Sequence, residues 1–176
     1  MTQSELPRPI RVRALPPAAV EIEADEAERG ALTKRFGISG IEALAAQVSL
    51  RQTADGIAAT GTLRATVVQP CAVTREDFAY PIDEPINLLF VPEGTATRYA
   101  EDEEIELADS APDEIEYDGD TFDLGEAVAQ SLGLALDPYR EGPGAQAARE
   151  SAGIVSDEDA MPIGPLAEAL KALKPS

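Results

Sequence analysis

Two runs of alternating residues joined by a turn signal restrict this chain more than any other feature in it. Leu44, Ala46, Val48 and Leu50 share one side while Gln47, Ser49 and Arg51 share the other. After Asp55-Gly56 the alternation resumes through Ile57, Ala59, Gly61, Leu63, Ala65 and Val67. A period of two over this length fits a pleated strand with one buried face and does not fit a helix. Asp-Gly is a favoured hairpin turn. The two runs therefore predict a long antiparallel hairpin, around which the rest of the fold must be arranged.

Further strands are expected nearby. Phe78, Tyr80 and Ile82 alternate, and Ile86, Leu88 and Phe90 read as another strand closed by Pro92. Ile115 and Tyr117 on one side of Asp118-Gly119, with Thr121 and Phe122 on the other, predict a short hairpin. Residues 9–14 alternate Ile10, Val12 and Ala14 against Arg11 and Arg13, a strand with one basic face. Two helices carry N-terminal capping patterns. Asp25-x-x-Glu28 opens a helix over 25–36 that ends at Gly37, and Asp123-x-x-Glu126 opens one carrying Leu124, Val128, Leu132, Ala135 and Leu136, ended by Pro138. A parallel α/β sheet needs helices between its strands, and none is patterned between residues 44 and 122. The expectation is an α+β fold: an antiparallel sheet or open barrel with two flanking helices and a C-terminal tail helix.

Domain limits follow from composition. Residues 1–140 read as a single domain, 141–162, starting Glu141-Gly142-Pro143-Gly144, as a flexible linker, and 163–176 as a helical tail. In the tail, Pro165 stands at a helix start, Leu166, Ala169, Leu170 and Leu173 recur at helical spacing, and Lys171 and Lys174 lie near the negative end of the helix dipole. No stretch approaches the roughly 18–20 unbroken apolar residues of a membrane helix, and the first residues lack a signal-peptide apolar region. With one cysteine and so no internal disulfide, a cytoplasmic location is expected.

Charge narrows the partner class. Fourteen basic against 33 acidic residues give a net charge of −19, and between Arg98 and Arg140 there is no Lys or Arg but there are fourteen carboxylates. Such a surface repels a polyanion and attracts a basic protein. Glu101, Asp102, Glu103, Glu104 and Glu106 are the candidate contacts, with Leu166 and Leu170 of the tail. Direct RNA contact is confined to the basic N-terminal part, Arg8, Arg11, Arg13, Lys34 and Arg35, with Arg11 and Arg13 foremost.

Candidate chemistry is sparse. Cys71 follows the second long strand, but the chain has no histidine and no second cysteine, so neither a structural zinc site nor a histidine-activated nucleophile can be assembled. Asp118, Asp120, Asp123 and Glu126 suggest an acidic calcium loop, yet Phe122 and Asp123 stand where that loop needs an oxygen ligand and a glycine. No glycine-rich phosphate loop is present. No catalytic residue, cofactor or metal ligand is therefore assigned.

Taken together, the Gly61 to Gln69 strand, Cys71 with Val73-Thr74, the Phe78 to Phe90 alternation and the run from Ile115 to Glu126 resemble the YceD-like family, the large ribosomal RNA subunit accumulation proteins, formerly a domain of unknown function. Leu132 to Tyr139 and the Pro165 to Lys174 segment resemble the family's later motifs, so the resemblance covers most of the chain from about Ile10. Many members carry Cys-x-x-Cys where this chain has Thr74 in the second place, which leaves Cys71 a family landmark without a partner thiol. The resemblance implies a bacterial, non-catalytic factor in accumulation or maturation of large-subunit ribosomal RNA, and the acidic surface adds the expectation of a basic ribosomal protein or assembly factor as partner. An RNA-binding module using the N-terminal segment, an acidic metal-binding protein, and an acidic domain whose tail helix docks on its own core are the alternatives.

Overall fold

The computed structural model of the protein describes residues 4–95 and 111–154. Its centre is the expected hairpin, β3 (Gly40–Gln52) with β4 (Ile57–Pro70), in continuous antiparallel register from Ala43↔Thr66 to Gln52↔Ile57. On one side β3 pairs with β2 (Val20–Glu23), and on the other β4 pairs along its whole length with β5 (Asp77–Pro92). A fifth strand, β6 (Asp113–Tyr117), completes the order β2-β3-β4-β5-β6. Among the described residues the sheet is open and does not close into a barrel. As expected, the fold is α+β and mainly antiparallel.

Helices α1 (Glu26–Phe36) and α2 (Leu124–Ala135) cover one face. Between them and the sheet lie Leu32, Leu44, Val48, Leu63, Val67, Phe90, Val128 and Leu132, all buried. Each helix starts as its sequence predicts. Asp25 accepts from the Glu28 N–H while Glu28 accepts from the Asp25 N–H, a reciprocal cap, and Asp123 accepts from the N–H groups of Gly125 and Glu126. The opposite sheet face carries the other half of the alternation, with Gln47, Thr60, Thr62 and Arg64 exposed.

Three expectations need correction. The Asp118-Gly119 turn exists, with Gly119 in the left-handed region at φ 77, but its flanking strands do not pair with each other. β6 runs parallel to β5, whereas β7 (Thr121–Asp123) joins a separate two-stranded ribbon with β1 (Pro9–Arg11). That ribbon also shortens the expected 9–14 strand, because Ala14 N–H turns back to the Arg11 carbonyl. The two runs at 78–82 and 86–90 are one strand. Pro81 and Pro85 lie where, among the described residues, β5 pairs only with β4, since β6 begins to pair at Leu88. A stretch paired on one side only is the position at which a sheet tolerates proline.

Of residues 141–162, expected as a flexible linker, 141–154 are described. A short helix, α3 (Ala145–Ser151), follows Gly144, and Ala145 is buried. Gly142 packs against Phe78 and Cys71, and Arg149 pairs with Glu141, so glycine and proline here shape a compact turn.

Candidate functional site

The sequence candidates fall at opposite ends of α2. Its N-terminal end meets the segment holding Leu6 and Arg8. The Asp123 carboxylate that caps α2 also accepts from the Arg8 N–H at 2.8 Å, and the Leu124 N–H donates to the Arg8 carbonyl. Leu6 is thereby held fully buried. Arg8 continues sideways, placing its guanidinium nitrogens 2.6 and 3.0 Å from the two carboxylate oxygens of Glu28 and donating to the Glu23 carbonyl. Bidentate pairing of this kind is the strong form of the interaction. It holds Glu28 below its usual carboxylate range, through the Arg8 hydrogen bond first.

Arg35 does the same at the other end of α1, bridging Glu126 of α2 and Glu5 at 2.7 and 2.8 Å. Glu126 is lowered chiefly by that hydrogen bond, against the opposing effect of its burial. Two of the five cations expected to be available for RNA are thus engaged within the fold. Arg11, at the end of β1, and Arg13 remain exposed, as does Lys34. The four carboxylates that suggested calcium are also dispersed: Asp118 lies in the turn, the Asp120 carbonyl accepts from Val12, Asp123 caps and Glu126 pairs with Arg35. Among the described residues no group of three or more Asp, Glu, Cys or His is placed to hold a metal.

The C-terminal end of α2 carries Cys71. The end of β4 delivers it into a loop that returns at Asp77, and its side chain is 1% exposed. Three backbone N–H groups point at the sulfur, those of Val73 and Thr74 at 3.4 Å and of Gly142 at 3.2 Å. Hydrogen bonding from the Thr74 side chain, then from the Thr74 and Gly142 backbone, brings the thiol down to about 7. Stabilisation of the thiolate here comes from the Thr74 side chain and then from backbone N–H groups, neutral donors that reading for charged neighbours does not detect. Arg75 in the same loop adopts a left-handed conformation, φ 64, the only described residue other than glycine to do so.

Behind the loop, Gln69 occupies an inward position of β4 after Leu63, Ala65 and Val67. Buried, it accepts from the Tyr80 hydroxyl at 2.9 Å and donates to the Asp137 carbonyl at 2.7 Å. The Arg140 guanidinium lies 4.1 Å from the Tyr80 ring centroid. Burial pushes Tyr80 upward. Gln69, Tyr80 and Arg140 escaped the sequence reading; a polar residue at an inward position of an alternating strand was the available signal.

The structure therefore does not bring the candidates into one site. Arg11 and Arg13 sit at the start of α2 and Cys71 at its end, separated by a 12-residue helix of about 18 Å. Glu101, Asp102, Glu103, Glu104, Glu106, Leu166 and Leu170 lie outside the described residues, as does the expected tail helix. No helix among the described residues is long and apolar enough to cross a membrane.

Comparison with known proteins gives a family match. A family described as "Large ribosomal RNA subunit accumulation protein YceD" matches residues 59–174, from β4 across α2 and α3 and onward, well over half of the chain. No curated protein and no solved structure matches the chain.

Proposed function

We propose, from the premise that this chain belongs to the YceD family, that it supports accumulation of large-subunit ribosomal RNA as a non-catalytic factor that binds a basic ribosomal protein or assembly factor. The family match carries the ribosomal part of this reading. The charge of −19 supports a basic protein as the contact, through Glu101, Asp102, Glu103, Glu104 and Glu106. The internal pairing of Arg8 and Arg35 argues in the same direction, because it removes cations that naked RNA would need.

Capture with the purified, immobilised full chain tests the reading. Salt-stripped large-subunit proteins should bind at low salt and be released as ionic strength rises, since exposed charges are screened beyond about 8 Å at physiological salt. Protein-free large-subunit RNA should pass through. Submicromolar binding of that RNA, lost in the double variant Arg11→Glu/Arg13→Glu, would instead establish the N-terminal segment as an RNA-binding surface.

A further inference from the structure

We propose that the groove between the C-terminal ends of α1 and α2 is the docking site for this chain's own residues 163–174. The groove is open, offers about 360 Å³, and is lined by Phe36 at the end of α1, Ile38 after it, Gln69 and Pro70 at the end of β4, Leu136 and Pro138 beyond α2, and Arg75. Its walls are about equally polar and apolar, with five apolar side chains beside Gln69 and one cation, Arg75. A cavity of about 150 Å³ accepts a benzene-sized group, so about two leucine-sized side chains fit. Leu166 and Leu170, four residues apart, project such a pair from one face of a helix.

Reach, charge and the extent of the family match favour this occupant. The chain leaves the domain beside the groove. A side chain at Gly144 would stand 3.7 Å from the Glu76 carboxylate and 3.8 Å from Thr74, on the loop that supplies Arg75. From there α3 advances about 10 Å. The twelve residues from Ile154 to Leu166 can then span up to roughly 40 Å, so no strain is needed to return.

The last turn of α1 holds Lys34 and Arg35, but that of α2 holds no basic residue. Its negative dipole end is complemented by the tail's Lys171 and Lys174, and Arg75 by Glu168. A second copy of the chain would bring another charge of −19 and is disfavoured. The family match continues to residue 174, so the tail shares the pattern that defines the core. Leu166 and Leu170 are thereby assigned to an internal contact, independent of the acidic surface proposed for the partner.

Engineered cysteines in the full chain test the assignment, with Cys71 buried and silent. Leu136→Cys/Leu170→Cys is compared with Leu134→Cys/Leu170→Cys, because Leu134, two residues earlier in the last turn of α2, is outside the groove and 84% exposed. Under mild oxidation in dilute solution, docking predicts an intrachain disulfide forming at least about tenfold faster in the first variant, from its higher effective concentration. Equal rates, or disulfides only between chains, would overturn the proposal. Leu170→Asp, which leaves the domain core untouched, should speed amide exchange of residues 133–136 by about tenfold. Unchanged exchange would count equally against docking.

Discussion

Replacing Gly125 by alanine sets two effects of opposite sign against each other at the start of α2. Alanine is the better helix former by about 1 kcal/mol, so propensity alone predicts a more stable protein. The added Cβ would stand 1.6 Å from the Leu6 carbonyl oxygen and 2.9 Å from its carbon, so the N-terminal segment must lift away. Exposing the Leu6 side chain costs about 2–3 kcal/mol. Losing the Arg8 N–H bond to the Asp123 carboxylate adds about 1.5 kcal/mol. The net expectation is destabilisation by about 3 kcal/mol, which at roughly 2–4 °C per kcal/mol lowers Tm by about 6–12 °C. Gly30→Ala is the matched control, since nothing lies within 4 Å of its added Cβ on the exposed side of α1. It should raise stability by up to about 1 kcal/mol. Thermal and urea unfolding of both variants decide the matter: Gly125→Ala melting at or above the parent temperature would refute the packing argument.

Two further perturbations address the ion pairs and the thiol. Glu126 is lowered from its ordinary value of 4.5 in the folded protein, so its pairing stabilises above that pH and the benefit disappears as pH falls through the folded value. Glu126→Gln should therefore cost about 0.5–1 kcal/mol near neutrality, less at high salt, and nothing in strong acid; a loss independent of pH and salt would contradict the assignment. Cys71 should titrate by ultraviolet absorbance near 7 in the folded protein and near 9 when unfolded, while its 1% exposure keeps alkylation slow until the loop opens. A folded midpoint near 9 would show that the three N–H groups do not act on the sulfur, and Cys71→Ser should keep a near-native fold.

Much of this architecture was legible locally, because strand alternation and helix caps are properties of neighbouring residues. The β3–β4 pair follows from its alternation and Asp55-Gly56, and both helix starts follow from Asp25 and Asp123. Pairing across long separations leaves no such trace. The ribbon joins Pro9 to Asp123, and a turn at Asp118-Gly119 looks the same whether its strands pair with each other or diverge to two sheets. Pro81 and Pro85 obscured a continuous β5 because their tolerance depends on where β6 begins, a tertiary fact. Cys71 behaves similarly: its position and lack of a partner thiol were visible, whereas the Gly142 N–H that completes its cradle comes from 71 residues away.

The measurement closest to the functional claim is the ratio of large-subunit to small-subunit ribosomal RNA in cells depleted of this protein. The account predicts that the large-subunit RNA falls relative to the small, and that the wild-type chain and its Cys71→Ser variant both restore it. An unchanged ratio on depletion would contradict the proposed role. Failure of Cys71→Ser alone, with its fold intact, would contradict the assignment of a non-catalytic factor.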